Sequence, residues 1–251
     1  MEWLLSPIDP SRAHDVGFAT SWHARSMTLA WGVMVPAAIF AARYFKILPG
    51  QDWPRELDTQ VWWRGHWMGQ ALAYLLTLLG LGLILGDDSA HFAPVHRILG
   101  YVVLALGSVQ VVLGVFRGSK GGPTAPGRDG SLSGDHYDMT PWRLHFERLH
   151  RVLGYGALLM GFVTIFTGLW AANAPRWMWI VLVLYWGGLL LAALYCQRRG
   201  WSYDTYQAIW GPDPDLPGNK MPMTGWGTTR PGETLDQGRK HHEKEAHVRR
   251  N

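Results

Sequence analysis

The feature of this sequence that most restricts its fold is a series of five apolar stretches, each about as long as a membrane-spanning helix. A helix needs about 20 residues to cross about 30 Å of hydrocarbon, and the central parts of these stretches carry no charged side chain. Charged residues make up 17% of the chain, below the share of about a quarter in soluble domains. Five soluble core helices of this length are the less favoured alternative. We therefore predict an all-α integral membrane protein with five transmembrane helices, over residues 22–42, 67–86, 98–116, 152–172 and 177–196.

The spans divide the chain into three regions. Residues 1–21 form an N-terminal segment, residues 22–199 the transmembrane domain and residues 200–251 a polar tail. The first twenty residues contain no apolar signal-peptide core, so we expect no cleaved signal before the first span. The loop 117–140 is rich in Gly, Pro, Ser and Asp and is predicted to be flexible, while Thr140-Pro141 is a typical helix start. The prolines and the final basic run predict a largely irregular, soluble tail.

Basic residues at the ends of the spans predict the orientation. With the N-terminal side of the membrane called side A and the opposite side called side B, twelve basic residues lie on side B and four on side A. The positive-inside rule then makes side B cytoplasmic. We expect the N-terminus outside and the tail in the cytoplasm, in a bacterial cytoplasmic membrane. The side B residues are Arg43, Lys46, Arg55, Arg64, Arg117, Lys120, Arg128, Arg143, Arg148, Arg151, Arg198 and Arg199, and the side A residues are Arg12, Arg25, Arg97 and Arg176.

Four histidines each lie near the start of a different span: His23, His66, His96 and His150. Because successive spans run in opposite directions, His23 and His96 lie near side A, and His66 and His150 near side B. An ionisable residue inside a membrane is costly and is a functional candidate. A single such histidine is more often satisfied by water or a carbonyl, but two matched pairs favour ligands. Two neutral imidazoles on facing helices can fill both axial positions of a haem iron. We predict a four-helix, haem-binding bundle with two b-type haems, one near each face.

A repeated motif surrounds two of these histidines, because residues 96–101 (HRILGY) recur as residues 150–155 (HRVLGY). Glycines follow at matching offsets and lie within roughly 40° of their histidine around the helix. This stripe predicts a slot for the flat macrocycle, with close helix packing as the alternative. We expect Arg97 and Arg151 to bind haem propionates, with interfacial snorkelling equally weighted. The glycines are Gly100, Gly107 and Gly114 after His96, and Gly154, Gly161 and Gly168 after His150; Gly100 and Gly154 are the predicted cofactor-binding pair.

The other histidines are weaker candidates, and the cysteine content limits the type of haem. His145 lies outside the repeat, about 140° around the helix from His150, so His150 is favoured as ligand. The loop and tail histidines are expected to be solvated or to bind metal weakly. The single cysteine, Cys196, excludes an iron–sulfur cluster and the covalent attachment of c-type haem. The loop and tail histidines are His91, His136, His241, His242 and His247.

The combination of motifs resembles the cytochrome b561 family, in particular the eukaryotic-type core that follows an extracellular DOMON domain. The resemblance covers residues 22–196, and we expect no DOMON domain in this chain. It implies six-coordinate haems, with His23 paired to His96 and His66 paired to His150. It also implies transmembrane electron transfer, with ascorbate as a common cytoplasmic donor and ferric chelates or monodehydroascorbate as acceptors. The matching residues are His23, Trp31, Pro36, Ala42-Arg43-Tyr44, Trp62, His66, Gln70, His96-Arg97, Gly100, Gln110, Trp142, His150 and Gly154.

These observations together predict a transmembrane electron-transfer oxidoreductase with no catalytic residue besides its iron ligands. Electrons pass from a cytoplasmic reductant to an acceptor on the outer face, each a small molecule or a protein. Lipid surrounds the spans, and no nucleic-acid partner is expected, because the basic residues lie at the ends of apolar stretches. Arg43, Lys46, Arg64, Arg117 and Arg148 are candidates for binding an anionic reductant on side B. The candidates for guiding an acceptor on side A are Arg25, His91, Arg97 and Arg176.

Two other functions remain as alternatives. The chain could be a haem-binding anchor subunit of a larger redox complex, with Trp201, Trp210 and Trp226 of the tail docking a partner. It could also be a metal or proton transporter that uses the histidines and holds no haem.

Overall fold

The computed structural model describes residues 1–86, 93–118 and 141–232, and within these ranges the chain is helical with no strand. Five of the helices, α2 to α6, are long and apolar enough to cross a membrane. The prediction of an all-α membrane protein with five spans is therefore confirmed. The helices are α1 (Glu2–Leu5), α2 (Phe18–Tyr44), α3 (Val61–Leu85), α4 (Pro94–Val115), α5 (Pro141–Ala171), α6 (Arg176–Arg198), α7 (Thr205–Trp210) and α8 (Pro217–Lys220).

The start of α5 agrees with the helix start predicted from Thr140-Pro141, since the helix begins at Pro141. It therefore precedes the apolar stretch at 152–172 by about three turns. Several predictions fall outside the described residues: the flexible loop over residues 119–140, the basic run at the end of the tail, and the histidines at 91, 136, 241, 242 and 247.

The outer surfaces of the spans are apolar as well as their inner surfaces. Leu79, Val115, Leu184 and Leu191 are each more than 60% exposed. A soluble protein rarely leaves so many large apolar side chains uncovered, whereas hydrocarbon is their natural surrounding in a bilayer. Exposed aliphatic residues along the spans are therefore what a lipid-facing surface requires.

The chain forms two compact units. Unit 1 comprises Met1–Ala42, Trp63–Phe116 and Leu149–Leu194, and unit 2 comprises Arg43–Trp62 with the described parts of residues 117–148 and 195–251. The core of unit 1 is built around Trp31, which is 7% exposed and donates from its indole Nε1 to Thr77 Oγ1 over 3.0 Å.

Helix α2 departs from α-helical geometry in its middle, where Thr28–Met34 forms a π-helical segment before Pro36. A proline has no N–H to donate to the carbonyl four residues earlier, which is that of Gly32. Here the Gly32 carbonyl accepts from Trp186 Nε1 at 2.7 Å, and the Val33 carbonyl accepts from the Tyr185 hydroxyl at 3.1 Å. Helix α6 thus satisfies backbone groups of α2 inside the membrane, which is how a membrane helix tolerates proline.

The turn between α5 and α6 is formed by Asn173, which has a positive φ of 47° and is 2% exposed. Asparagine tolerates this left-handed conformation at a helix end better than most residues. Its side chain accepts from the Asp9 backbone N–H at 3.0 Å and donates to the Arg12 carbonyl at 2.6 Å. The N-terminal segment is therefore fixed to this turn.

Hydrogen bonds from Ser11 and the nearby Arg12 lower the pKa of the Asp9 carboxyl.

The described part of the tail is largely irregular, as predicted from its sequence, but it is also packed. Residues 200–232 contain α7 and α8, and Tyr206 is 2% exposed. Tyr206 packs so closely on Gly218 that a β-carbon there would overlap its ring. Lys46, 7% exposed, donates from Nζ to the Tyr203 carbonyl at 2.7 Å. The composition of the tail did not reveal this packing, because glycine and proline also serve tight turns and close contacts.

Candidate functional site

The four span-initial histidines form two pairs in unit 1, as their positions in the sequence predicted. The ring centroids of His23 and His96 lie 6.1 Å apart with the ring planes 87° from parallel. Those of His66 and His150 also lie 6.1 Å apart, with an angle of 83°. Helices α2 and α4 supply the first pair, and α3 and α5 supply the second.

The spacing within each pair fits a metal ion held between two imidazoles. Two metal–nitrogen bonds of about 2 Å, and about 1 Å from each nitrogen to its ring centre, give a centroid separation of about 6 Å. Among the described residues there is no group of three or more His, Cys, Asp or Glu side chains that could hold a metal ion. Two isolated pairs match a haem iron, because its porphyrin supplies the four remaining ligands.

Three of the four rings are held by main-chain carbonyls of a neighbouring helix. His23 Nδ1 lies 2.9 Å from the Gly80 oxygen, His66 Nδ1 lies 3.2 Å from the Ala38 oxygen, and His96 Nδ1 lies 2.9 Å from the Thr164 oxygen. A carbonyl oxygen can only accept, so each of these Nδ1 atoms carries the proton. In a neutral imidazole the Nε2 atom is then unprotonated and able to bind a metal.

The carbonyl contacts run in reciprocal fashion between helix pairs. The Ala38 carbonyl of helix α2 holds His66 of α3, and the Gly80 carbonyl of α3 holds His23 of α2. Helix α5 holds His96 of α4 through Thr164, which lies fourteen residues after His150 in the sequence. The position equivalent to Thr164 on α4, fourteen residues after His96, is Gln110.

Gln110 is the neighbour of the fourth histidine. One terminal atom of its amide lies 2.5 Å from His150 Nδ1 and 3.1 Å from the His150 carbonyl oxygen, and the other lies 3.1 Å from the Gly154 nitrogen. A side-chain amide thus lies beside Nδ1 of His150, whereas main-chain carbonyls lie beside Nδ1 of the other three histidines. The sequence identified Gln110 only as part of the family resemblance and gave it no role.

The glycines do not form one uniform stripe, and this refines the sequence interpretation. A β-carbon at Gly168 would lie 2.8 Å from His96 Cε1, so this glycine makes room for the imidazole of the opposite pair. β-Carbons at Gly107 and Gly161 would lie 3.3 Å and 3.0 Å from the Trp31 ring. These three positions serve a histidine or close packing. Of the six glycines, only Gly100 and Gly114 have nothing within 4 Å of the place that a β-carbon would occupy, and Gly154 borders Gln110 at 3.7 Å.

The remaining predicted site residues are placed but not assigned a role by their contacts. Arg97 is exposed beside His96, and Arg151 is half-buried beside His150. His145, the rival to His150, is exposed and belongs to unit 2. Two of the basic residues predicted to bind an anionic reductant make hydrogen bonds within the protein. Lys46 donates to the Tyr203 carbonyl. Arg43 donates to Gln197 Oε1 at 2.9 Å and to the Trp226 carbonyl at 2.8 Å.

Comparison with known proteins gives one consistent result. The family model for eukaryotic cytochrome b561 matches residues 22–119. Two Arabidopsis thaliana proteins named cytochrome b561 and DOMON domain-containing protein are 27% identical over 60% of this chain and 32% of the relative, and 25% identical over 67% and 37%. A third, named for cytochrome b561, DM13 and DOMON domains, is 27% identical over 59% of this chain and 14% of its own length.

The chain covers only part of the length of these relatives. The chain spans 14% to 37% of their length. They are plant proteins and give no support to the expectation of a bacterial membrane. No solved structure matches the chain.

Proposed function

We propose that this chain is a member of the cytochrome b561 family, whose model matches residues 22–119, and that it carries single electrons across a membrane through two b-type haems, each held by one of the two histidine pairs. The single observation that carries the proposal is the pair geometry, with both centroid separations at 6.1 Å. Each haem, when bound, supplies an iron that cycles between the ferric and ferrous states.

The protein's own residues have three tasks in this function. The histidines would hold iron through Nε2, while the carbonyls of Gly80, Ala38 and Thr164 hold the Nδ1 atoms of His23, His66 and His96. A haem held by two histidines would have no iron position open to oxygen, and this would favour electron transfer over oxygen binding. The third task is positioning across the membrane. His23 and Ala38, whose carbonyl holds His66, are fifteen residues apart on α2, which corresponds to on the order of 20 Å along the helix.

The proposed direction is from side B to side A. The excess of basic residues on side B supports a cytoplasmic location for the His66–His150 pair, where cells keep their reductants. Electrons then enter at this pair and leave at the His23–His96 pair. The donor is a small anionic reductant or a protein, and the acceptor a ferric chelate or a protein.

The test uses the purified chain in two steps. A pyridine haemochrome assay should return two haems b per chain, both extractable into acidified organic solvent, since Cys196 is the only cysteine. Proteoliposomes with ascorbate on side B should then reduce an impermeant ferric chelate on side A, and His66→Ala should abolish that transfer. A protein without haem would contradict the proposal, and two haems without transfer from any donor would contradict the conductor function.

The anchor-subunit alternative is favoured by one observation in unit 2. Trp226 is 64% exposed and Met223 is 42% exposed, whereas Tyr206 in the same unit is 2% exposed. Trp226→Ser should release a copurifying partner while leaving vesicle electron transfer unchanged if the chain is also a subunit. Trp201 contacts Tyr195, with ring centroids 5.8 Å apart, and its substitution by serine is unsuitable as a test of docking alone.

A further inference from the structure

The group beside the ring nitrogen Nδ1 is of a different kind at His150 than at the other three histidines. Main-chain carbonyls hold His23, His66 and His96, whereas the Gln110 side chain lies against His150 Nδ1 at 2.5 Å. A main-chain carbonyl oxygen can only accept a hydrogen bond, but a side-chain amide can accept through its oxygen or donate through its nitrogen. The state of His150 therefore depends on which atom Gln110 presents.

The two amide orientations have opposite consequences for iron binding. If the nitrogen faces His150, it donates to Nδ1, the imidazole proton moves to Nε2, and that atom cannot bind iron as a neutral ligand. If the oxygen faces His150, it accepts from Nδ1–H and Nε2 stays bare, as in the other three rings. The nitrogen-first orientation would also bond to the His150 carbonyl and let the oxygen accept from Gly154 N–H. Those two backbone groups lie four residues apart within α5, where they bond to each other.

We propose that Gln110 is the positioning residue of the His66–His150 site: its Oε1 accepts from His150 Nδ1–H, fixes the ligand tautomer and tunes the iron that His150 binds. This inference rests on the proposed function. The bond raises the basicity of the His150 ligand, which favours ferric over ferrous iron at this site alone. The potential of this site is therefore adjustable through one side chain, while the His23–His96 site is fixed by main chain.

The experiment compares Gln110, Gln110→Leu and Gln110→Glu in a His23→Ala background, which leaves only the His66–His150 haem to observe. The readouts are haem affinity and the midpoint potential by spectroelectrochemical titration. Gln110→Leu keeps the size of the side chain and removes the acceptor, so haem should bind about 10–100-fold more weakly and the potential should rise. Gln110→Glu retains an acceptor oxygen, so binding should persist and the potential should fall.

The matched control is Ser108→Ala on the same helix. Ser108 bonds to the Tyr74 hydroxyl at 2.8 Å and donates to the Leu104 carbonyl at 2.9 Å, so its removal should leave affinity and potential unchanged. If Gln110→Leu behaves like this control, the inference is overturned while a wild-type count of two haems preserves the proposed function. If Gln110→Glu loses haem as Gln110→Leu does, the amide acts as a donor and the inference is likewise overturned. A wild-type protein without haem overturns both.

Discussion

The two histidine pairs have the same spacing but are supported differently. At the His23–His96 pair both Nδ1 atoms face main-chain carbonyls, while at the His66–His150 pair one faces a carbonyl and the other faces Gln110. A substitution cannot remove a main-chain carbonyl, so we expect haem binding at the His23–His96 pair to depend chiefly on helix spacing. The second pair responds to a side chain as well. Equal geometry therefore does not imply equal sensitivity to mutation.

The largest expected effect comes from removing a ligand. His23→Ala or His96→Ala should lose the haem of one pair, and His66→Ala or His150→Ala the haem of the other, because a single imidazole cannot close both axial positions. A haem count on each purified variant should fall from two to one.

His145→Ala is the control for the helix α5 assignment, since His145 is exposed. This variant should keep both haems. Loss of a haem in His145→Ala with retention in His150→Ala would reverse the assignment.

The second prediction separates the pairs sterically. Gly168→Leu should remove the His23–His96 haem and spare the other, because even its β-carbon would lie 2.8 Å from His96 Cε1. Overpacking of this kind typically costs about 1–3 kcal/mol. Gly156→Leu on the same helix is the control, since nothing lies within 4 Å of its β-carbon position. A spectrum with both haems in Gly168→Leu would show that the His96 ring can move without losing iron.

Gly100→Leu and Gly154→Leu test the slot predicted from the sequence. Gly100 has open space in the protein, so added bulk there should displace only the macrocycle. Gly154→Leu should act through its neighbour Gln110 and weaken the His66–His150 haem. Full haem occupancy in both inserted variants would favour plain helix packing for these glycines.

The fourth prediction affects both pairs together. Trp186→Phe leaves the Gly32 carbonyl without its indole donor at the centre of α2, and interhelical hydrogen bonds in membranes contribute about 1 kcal/mol. The thermal unfolding midpoint in detergent should fall, and both haems should be released more readily by the same factor. Trp177→Phe, at an exposed position, is the control. Selective loss at one pair would contradict a shared role for this segment.

The smallest expected effect concerns Thr167, whose hydroxyl lies 3.4 Å from His96 Nδ1. The Thr164 carbonyl at 2.9 Å remains in Thr167→Val, so the potential of the His23–His96 haem should not change measurably. A shift as large as that of Gln110→Leu at the other pair would remove the contrast between main-chain and side-chain support.

The sequence by itself determined the five spans, the helix start at Pro141 and the assortment of four histidines into two pairs. These follow from hydrophobic length and from the alternating direction of successive helices, which act locally or through chain order alone. It did not reveal the packing within the described tail, where burial of Tyr206 against Gly218 depends on residues brought together only by folding.

Only the tertiary structure decided what holds each histidine and what each glycine is for. Gly107 and Gly168 both lie within apolar helices, so the sequence does not distinguish them. In the structure Gly107 lies against Trp31, and Gly168 lies against His96. Carbonyl partners such as Gly80 and Thr164 carry no signature either, because every residue has a carbonyl. Which of them reaches a ring depends on helix rotation and spacing, and these are set by packing between helices.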